Sequence, residues 1–173
     1  MHVIFRESHG LEETETPVDL DQTPADLVVL SFSDSDLGAF AAGWHAADGA
    51  RPELRLPGLG LPGLGLPGLR LANLSALRHP LSIDTYIEAT LSRARGILVR
   101  LIGGVAYWPY GLGQVHRLAR RNGIALAVLP CDGRADPRPE GFSTVPPSTL
   151  PRLAALCHSG APVPARAAPG PPD

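Results

Sequence analysis

Apolar positions along the chain fall into short continuous runs separated by polar, helix-compatible segments. DLVVLSFSDSD (26–36) carries Val28, Val29, Leu30 and Phe32 in one run and ends in Ser-Asp-Ser-Asp. A run this short, rich in β-branched residues and bounded by polar ones, predicts a buried strand. GILVRLIGG (96–104) and IALAVLP (124–130) read the same way, and LRLANLSAL places another strand near 69–74. HVIFRES (2–8) predicts a shorter strand at the start. Helical spacing appears between them. Leu37, Phe40, Ala41, Trp44 and His45 lie near one face of a helix that Ser35 or Asp36 caps and that runs through Ala47. Ile83, Ile87 and Leu91 mark a helix from Ser82 or Asp84 to about Arg95. Leu112 to Asn122 predicts a third helix with Gly123 as its C-cap, and Ser148 to Cys157 a last one. Continuous apolar strands alternating with helices predict an α/β fold: an open, mainly parallel Rossmann- or flavodoxin-like sheet with helices on both faces.

In such a sheet ligands and partners meet the loops at the carboxyl ends of the strands. Those loops are 7–10, 33–36, 103–110 and 131–134.

Between the first helix and the strand near 69–74 the chain reads LPGLG, LPGLG, LPGLR. Gly58, Gly60 and Gly63 match G-x-G-x-x-G, as do Gly63, Gly65 and Gly68. That fingerprint binds a dinucleotide only where it opens a helix. Pro57, Pro62 and Pro67 recur every five residues and forbid one. Leu-Arg-Leu occurs at 54–56 and again at 69–71. Removing residues 56–70 leaves RPELRLANLSALRHP with the strand intact. The repeat therefore reads as a surface loop expanded by tandem duplication and inserted at about 56–70. Loop closure entropy grows only logarithmically with such insertions.

Composition narrows the function. The net charge is −2, with every basic residue an Arg. Ten acids and no Arg fall within 7–50, whereas fourteen Arg and seven acids follow residue 50. This gives no footprint for nucleic acid or an anionic membrane. Arg6 and Glu7 come too early for a signal peptide, and the run from Gly96 to Trp108 is too short to span a bilayer. A cytoplasmic protein with no membrane and no nucleic-acid partner is expected. Cys131 and Cys157 form no disulfide framework or metal pair. No Walker motif occurs, so ATP binding by this chain is not expected.

Three groups carry candidate chemistry. His9, Glu12 and Glu13 combine imidazole and carboxylates that suit a divalent transition metal, or form a plain polar loop. Ser33, Asp34, Ser35 and Asp36 either cap a helix or make polar contacts with a ligand or neighbouring domain. Gly103, Gly104, Tyr107, Trp108 and Tyr110 join a sharp backbone turn to flat amphipathic rings, fitting a substrate edge or a domain interface.

FRESHGLEETETPVDL, ADLVVLSFSDSDLGAFAAGWH, LRLANLSALRHPLSIDTYIEATLSRARGILVRLIGG and YWPYGL resemble the amino-terminal part of the CobN family. CobN is the large subunit of aerobic, ATP-dependent cobaltochelatase, in one superfamily with the magnesium chelatase H subunit. The resemblance covers about residues 1–156 outside the repeat. Its most specific parts are SFSDSDL (31–37), LRHP (77–80) with DTYIE (84–88), and RLIGG-x-x-YWPYG (100–111). It implies a subunit that holds the corrinoid hydrogenobyrinic acid a,c-diamide while cobalt(II) is inserted, in cobalamin biosynthesis. It also implies CobS- and CobT-type partners that consume the ATP, and contacts with the remainder of a CobN chain. The loop 103–110 would then face a corrin edge or the next domain. Family members are several times longer, which implies an N-terminal fragment that is not catalytic alone. One domain is expected over 1–157, and a disordered Pro/Ala-rich tail over 158–173. A stand-alone flavodoxin-like binding module and a magnesium chelatase H-type fragment are the alternatives.

Overall fold

The computed structural model describes residues 16–49, 68–132 and 136–158, with the side chains of 47–49 left aside. The strand expected at 2–8, most of the repeat loop, the His9–Glu12–Glu13 group and nearly all of the tail lie outside the described residues.

Four strands form one sheet: β1 (Leu27–Ser31), β2 (Leu69–Asn73), β3 (Gly96–Leu101) and β4 (Ala125–Pro130). Their order is β2-β1-β3-β4, and every pairing is parallel. The helices are α1 (Asp34–Gly49), α2 (Pro80–Ala89), α3 (Pro109–Asn122), the single-turn α4 (Pro137–Glu140) and α5 (Thr149–His158). The α/β class and parallel sheet are as expected.

Strand alternation divides the interior. Val28, Leu30, Ala72, Ile97, Val99, Leu101, Leu126 and Val128 form the larger core with Ile83 and Tyr86 of α2 and Leu112, Val115, Leu118 and Ala119 of α3. The opposite face is thinner. Ala127 and Leu129 meet Leu150 there, with Leu98, Leu153, Ala154 and Cys157 packed around them. α1 packs on β1 and β2, and none of its side chains at 34–46 is fully buried. Full burial of one Leu, Ile or Phe contributes about 1.5–3 kcal/mol, so the α2/α3 face holds most of the hydrophobic stabilisation.

Helix boundaries differ from the sequence pattern where side-chain caps intervene. α1 begins two to three residues early because Ser33, not Ser35 or Asp36, is the cap: its Oγ accepts from the Asp36 amide at 3.2 Å. α2 begins at Pro80, where His79 Nδ1 accepts from the Leu81 amide at 3.1 Å. It ends at Ala89 rather than Arg95, and a 3-10 turn over Leu91–Arg93 completes the segment. α3 begins at Pro109, since proline suits a first helical turn. Gly123 ends it in the left-handed conformation, as expected.

Side chains blunt both sheet edges. At β4, the Thr144 amide donates to Leu126 O and Ser143 Oγ accepts from the Val128 amide. At β2, Gln22 Nε2 donates to Leu71 O. Gln22 also accepts from Tyr86 Oη at 2.7 Å and, through its carbonyl, from Thr90 Oγ1. That single glutamine ties the 16–25 segment to α2 and β2.

Two glycines of α3 have opposite surroundings. A Cβ on Gly111 would lie 2.1 Å from Trp108 Cε2, whereas one on Gly113 meets nothing within 4 Å. Gly113→Ala is expected to stabilise the protein by roughly 0.5–1 kcal/mol through helix propensity. Gly111→Ala is expected to destabilise it by about 1–3 kcal/mol through overpacking. Denaturant midpoints of the two variants check the opposite signs.

Candidate functional site

With strand order β2-β1-β3-β4, the connections from β1 and β3 leave the sheet in opposite directions. The crevice between their carboxyl ends is where an open α/β sheet ordinarily receives a ligand. Here a charge fills it. Arg100 of β3 sits opposite Ser31 of β1 and is 2% exposed. Its Nε donates to Asp36 Oδ2 at 2.8 Å, and its Nη2 donates to Cys131 O at 3.4 Å. Ser31 Oγ donates to the same Asp36 oxygen at 3.2 Å, and Cys131 Sγ approaches it at 3.6 Å. One carboxylate in the first turn of α1 thus binds β1, β3 and the end of β4. Arg100 Nη1 is buried, and among the described residues it has no hydrogen-bond partner. The Cys157 thiol of α5 acts electrostatically on the same guanidinium.

Burial works against the Arg100 charge, but Cys157, Asp36 and Cys131 outweigh it, so the guanidinium is held above its ordinary range. Burial pushes both thiols up, with Arg100 opposing. Both therefore stay protonated at neutral pH, and Asp36 is the partner that neutralises Arg100 there. Protonated thiols are poor nucleophiles. The group is a latch that joins α1, β3 and β4.

The expected site residues separate. Ser33 is consumed as the α1 cap. Asp34 accepts from Asn73 Nδ2 at 2.7 Å, and Ser35 is exposed. Asp36 is committed to Arg100. Gly103 and Gly104 adopt φ of 76° and 85°, which permits the turn after β3. Tyr107 is exposed, and its ring lies against Gly103 so closely that a Cβ there would fall 2.2 Å from it. Tyr110 is also exposed, with its Oη donating to Asp84. Trp108 corrects the expectation for this aromatic group. It is a core residue, 3% exposed, with Nε1 donating to Leu77 O at 2.7 Å, so its ring is packed inside the fold rather than presented at the surface. Among the described residues no group of three His, Cys, Asp or Glu side chains is arranged to hold a metal ion, and no helix is long and apolar enough to cross a membrane. Arg100 is the residue that sequence reasoning passed over. A charge inside an apolar strand was its signal, because a buried charge demands a partner.

No protein-family model matches the chain. Curated relatives do. The aerobic cobaltochelatase subunit CobN of a Sinorhizobium species is 37% identical over 160 residues, covering 92% of this chain and 11% of its own length. Its namesake from Pseudomonas aeruginosa is 35% identical over 146 residues, 84% of this chain and 10% of its own length. The chain is a relative of CobN. It spans about a tenth of the length of these CobN subunits. The catalytic subunit of cobaltochelatase from Mycobacterium tuberculosis, a solved structure, superposes with a TM-score of 0.48 at 20% identity, over 78% of this chain and 10% of that one.

The latch makes two predictions about this CobN relative. Asp36→Ala strands a buried guanidinium and is expected to cost roughly 3 kcal/mol, the low end for a broken buried pair because Asp36 keeps some exposure. Adding Arg100→Met should recover at least half of that loss, as read from denaturant unfolding. The thiols set the second. Their protonated forms are favoured by folding, so their contribution is complete below the unfolded thiol pKa and is lost as pH rises through the folded one. Stability should fall as pH passes about 8.5. The early part of that fall should be missing in a Cys131→Ala, Cys157→Ala variant, measured by thermal unfolding across the range. Tyr86, whose phenol burial pushes well above its ordinary range, adds its loss only at higher pH.

Proposed function

We propose that this α/β unit is a framework segment of a CobN-type cobaltochelatase subunit. In this reading the whole subunit holds hydrogenobyrinic acid a,c-diamide in the cytoplasm and takes up cobalt(II) as substrate. The metal displaces two ring N–H protons. ATP is consumed by separate CobS- and CobT-type partners. Identity of 37% running through 92% of the chain carries the reading. The structure supports a framework role over a catalytic one in this segment. Its switch-point crevice is filled by Arg100 and Asp36, and its two thiols are held protonated. A macrocycle needs a wide concave site. The ring and its insertion site are therefore assigned to other parts of the subunit, and the His9–Glu12–Glu13 group is a proposed metal contact of this segment, away from that site.

A chimera tests this. The matching segment of the Pseudomonas aeruginosa subunit is replaced by this chain, and cobalt insertion is measured with the partner subunits and ATP present. Retained cobalt insertion into the corrinoid is expected. A soluble chimera without activity would overturn the proposal, and activity confined to magnesium and protoporphyrin would move it to the H-subunit branch. The 173-residue chain alone is expected to show no turnover.

A further inference from the structure

Six large apolar side chains are exposed among the described residues: Val18, Leu27, Leu81, Ile102, Tyr107 and Tyr110. Five of them gather at one end of the molecule. Leu81 lies in the first turn of α2, Tyr110 in the first turn of α3, and Ile102 and Tyr107 in the connection between β3 and α3. Val18 joins them through its amide, which donates to Ser82 Oγ at 2.7 Å. Leu27 stands apart at the opposite end of β1.

The cluster is built rather than scattered. Tyr110 Oη holds both Asp84 carboxylate oxygens, at 3.0 and 3.1 Å, and so ties α3 to α2. Buried Trp108 braces the same two segments through Leu77 O. Tyr107 is 66% exposed, yet its ring is seated against Gly103, where the positive φ and the short approach both exclude a side chain. Rings fixed in this way lose little freedom on binding, which favours association. Asp84 places one charge beside Tyr110, while Val18, Leu81, Ile102 and Tyr107 are uncharged, and charge is sparse at the centre of interfaces.

We infer that Val18, Leu81, Ile102, Tyr107 and Tyr110 form a docking surface for the remaining polypeptide of a CobN-length subunit. The inference rests on the function proposed above. Its occupant follows from length: this chain spans 11% and 10% of its CobN relatives, so about nine-tenths of such a subunit must meet this unit through some face. Among the described residues both sheet edges are met by Gln22 and by Ser143 and Thr144, and every exposed large apolar side chain except Leu27 lies at this end. The matching surface is apolar and uncharged at its centre, with hydrogen-bonding groups that reach the Tyr107 hydroxyl.

Calorimetry with the purified 173-residue chain and a Pseudomonas aeruginosa CobN lacking the matching segment tests the inference. The unmodified chain should bind. Tyr107→Ala, an exposed change that leaves the fold intact, and Ile102→Asp with Tyr107→Ala should weaken binding by at least tenfold for the pair. Leu27→Gln at the far end should leave it unchanged. Equal binding by the Tyr107 and Ile102 variants overturns the docking surface and leaves the function standing. No binding by the unmodified chain overturns both. Self-association of the chain that the patch variants abolish, seen by sedimentation, gives the surface to a second copy and overturns the inference.

Discussion

A guanidinium buried in the middle of a parallel sheet constrains everything around it. Arg100 occupies a strand position flanked by Val99 and Leu101, both almost wholly buried. Removing such a charge from water is tolerable only with a close, hydrogen-bonded counter-charge. Asp36 supplies it from the first turn of α1, at 2.8 Å. Ser33 must then cap the helix so that Asp36 points inward, and Ser31 must lie opposite Arg100 to hold the remaining lone pair. The orientation of α1, the register of β1 on β3 and the position of the β4 terminus follow from one ion pair.

The two faces of the sheet divide the work. The α2/α3 face holds the larger buried apolar cluster and supplies most of the hydrophobic stabilisation. The α1/α5 face is thinner, and specificity there comes from polar geometry. A half-packed helix that is positioned by a buried ion pair can hold one orientation without a large core beneath it. The same pair occupies the crevice where open α/β sheets usually receive ligands. Features suited to recognition lie instead beyond β3 and along the first turns of α2 and α3, where tyrosines are exposed and braced.

Much of the fold was legible in the sequence, and the exceptions share a physical cause. β1, β2, β3 and β4 were visible because continuous apolar runs admit few alternatives, and Gly123 because a left-handed cap favours glycine. The starts of α1 and α2 were misplaced because capping by Ser33 and His79 depends on local backbone geometry. The end of α2 was overextended because Leu91 keeps helical spacing while it sits in a 3-10 turn. Trp108 was grouped with Tyr107 and Tyr110 because the three rings follow the Gly103–Gly104 turn in one short stretch. Its 31-residue reach to Leu77 is a tertiary fact that no local pattern contains. Arg100 and Asp36 lie 64 positions apart, so their pairing was equally hidden. The resemblance to CobN rested on SFSDSDL, on LRHP with DTYIE, and on RLIGG-x-x-YWPYG; the first and last of these hold the ion pair, and the last the exposed tyrosines.

The central claim is that the Arg100 guanidinium is sequestered and paired inside the fold. It is tested most directly by nitrogen-15 NMR of the arginine side-chain Nε–H groups, of which the chain has fifteen. Arg100 Nε–H, assigned by its loss in Arg100→Met, should exchange with solvent far more slowly than every other arginine, because opening it requires the sheet to part from α1. If Arg100 exchanges at the rate of the exposed arginines, the charge is open to water and the latch does not exist.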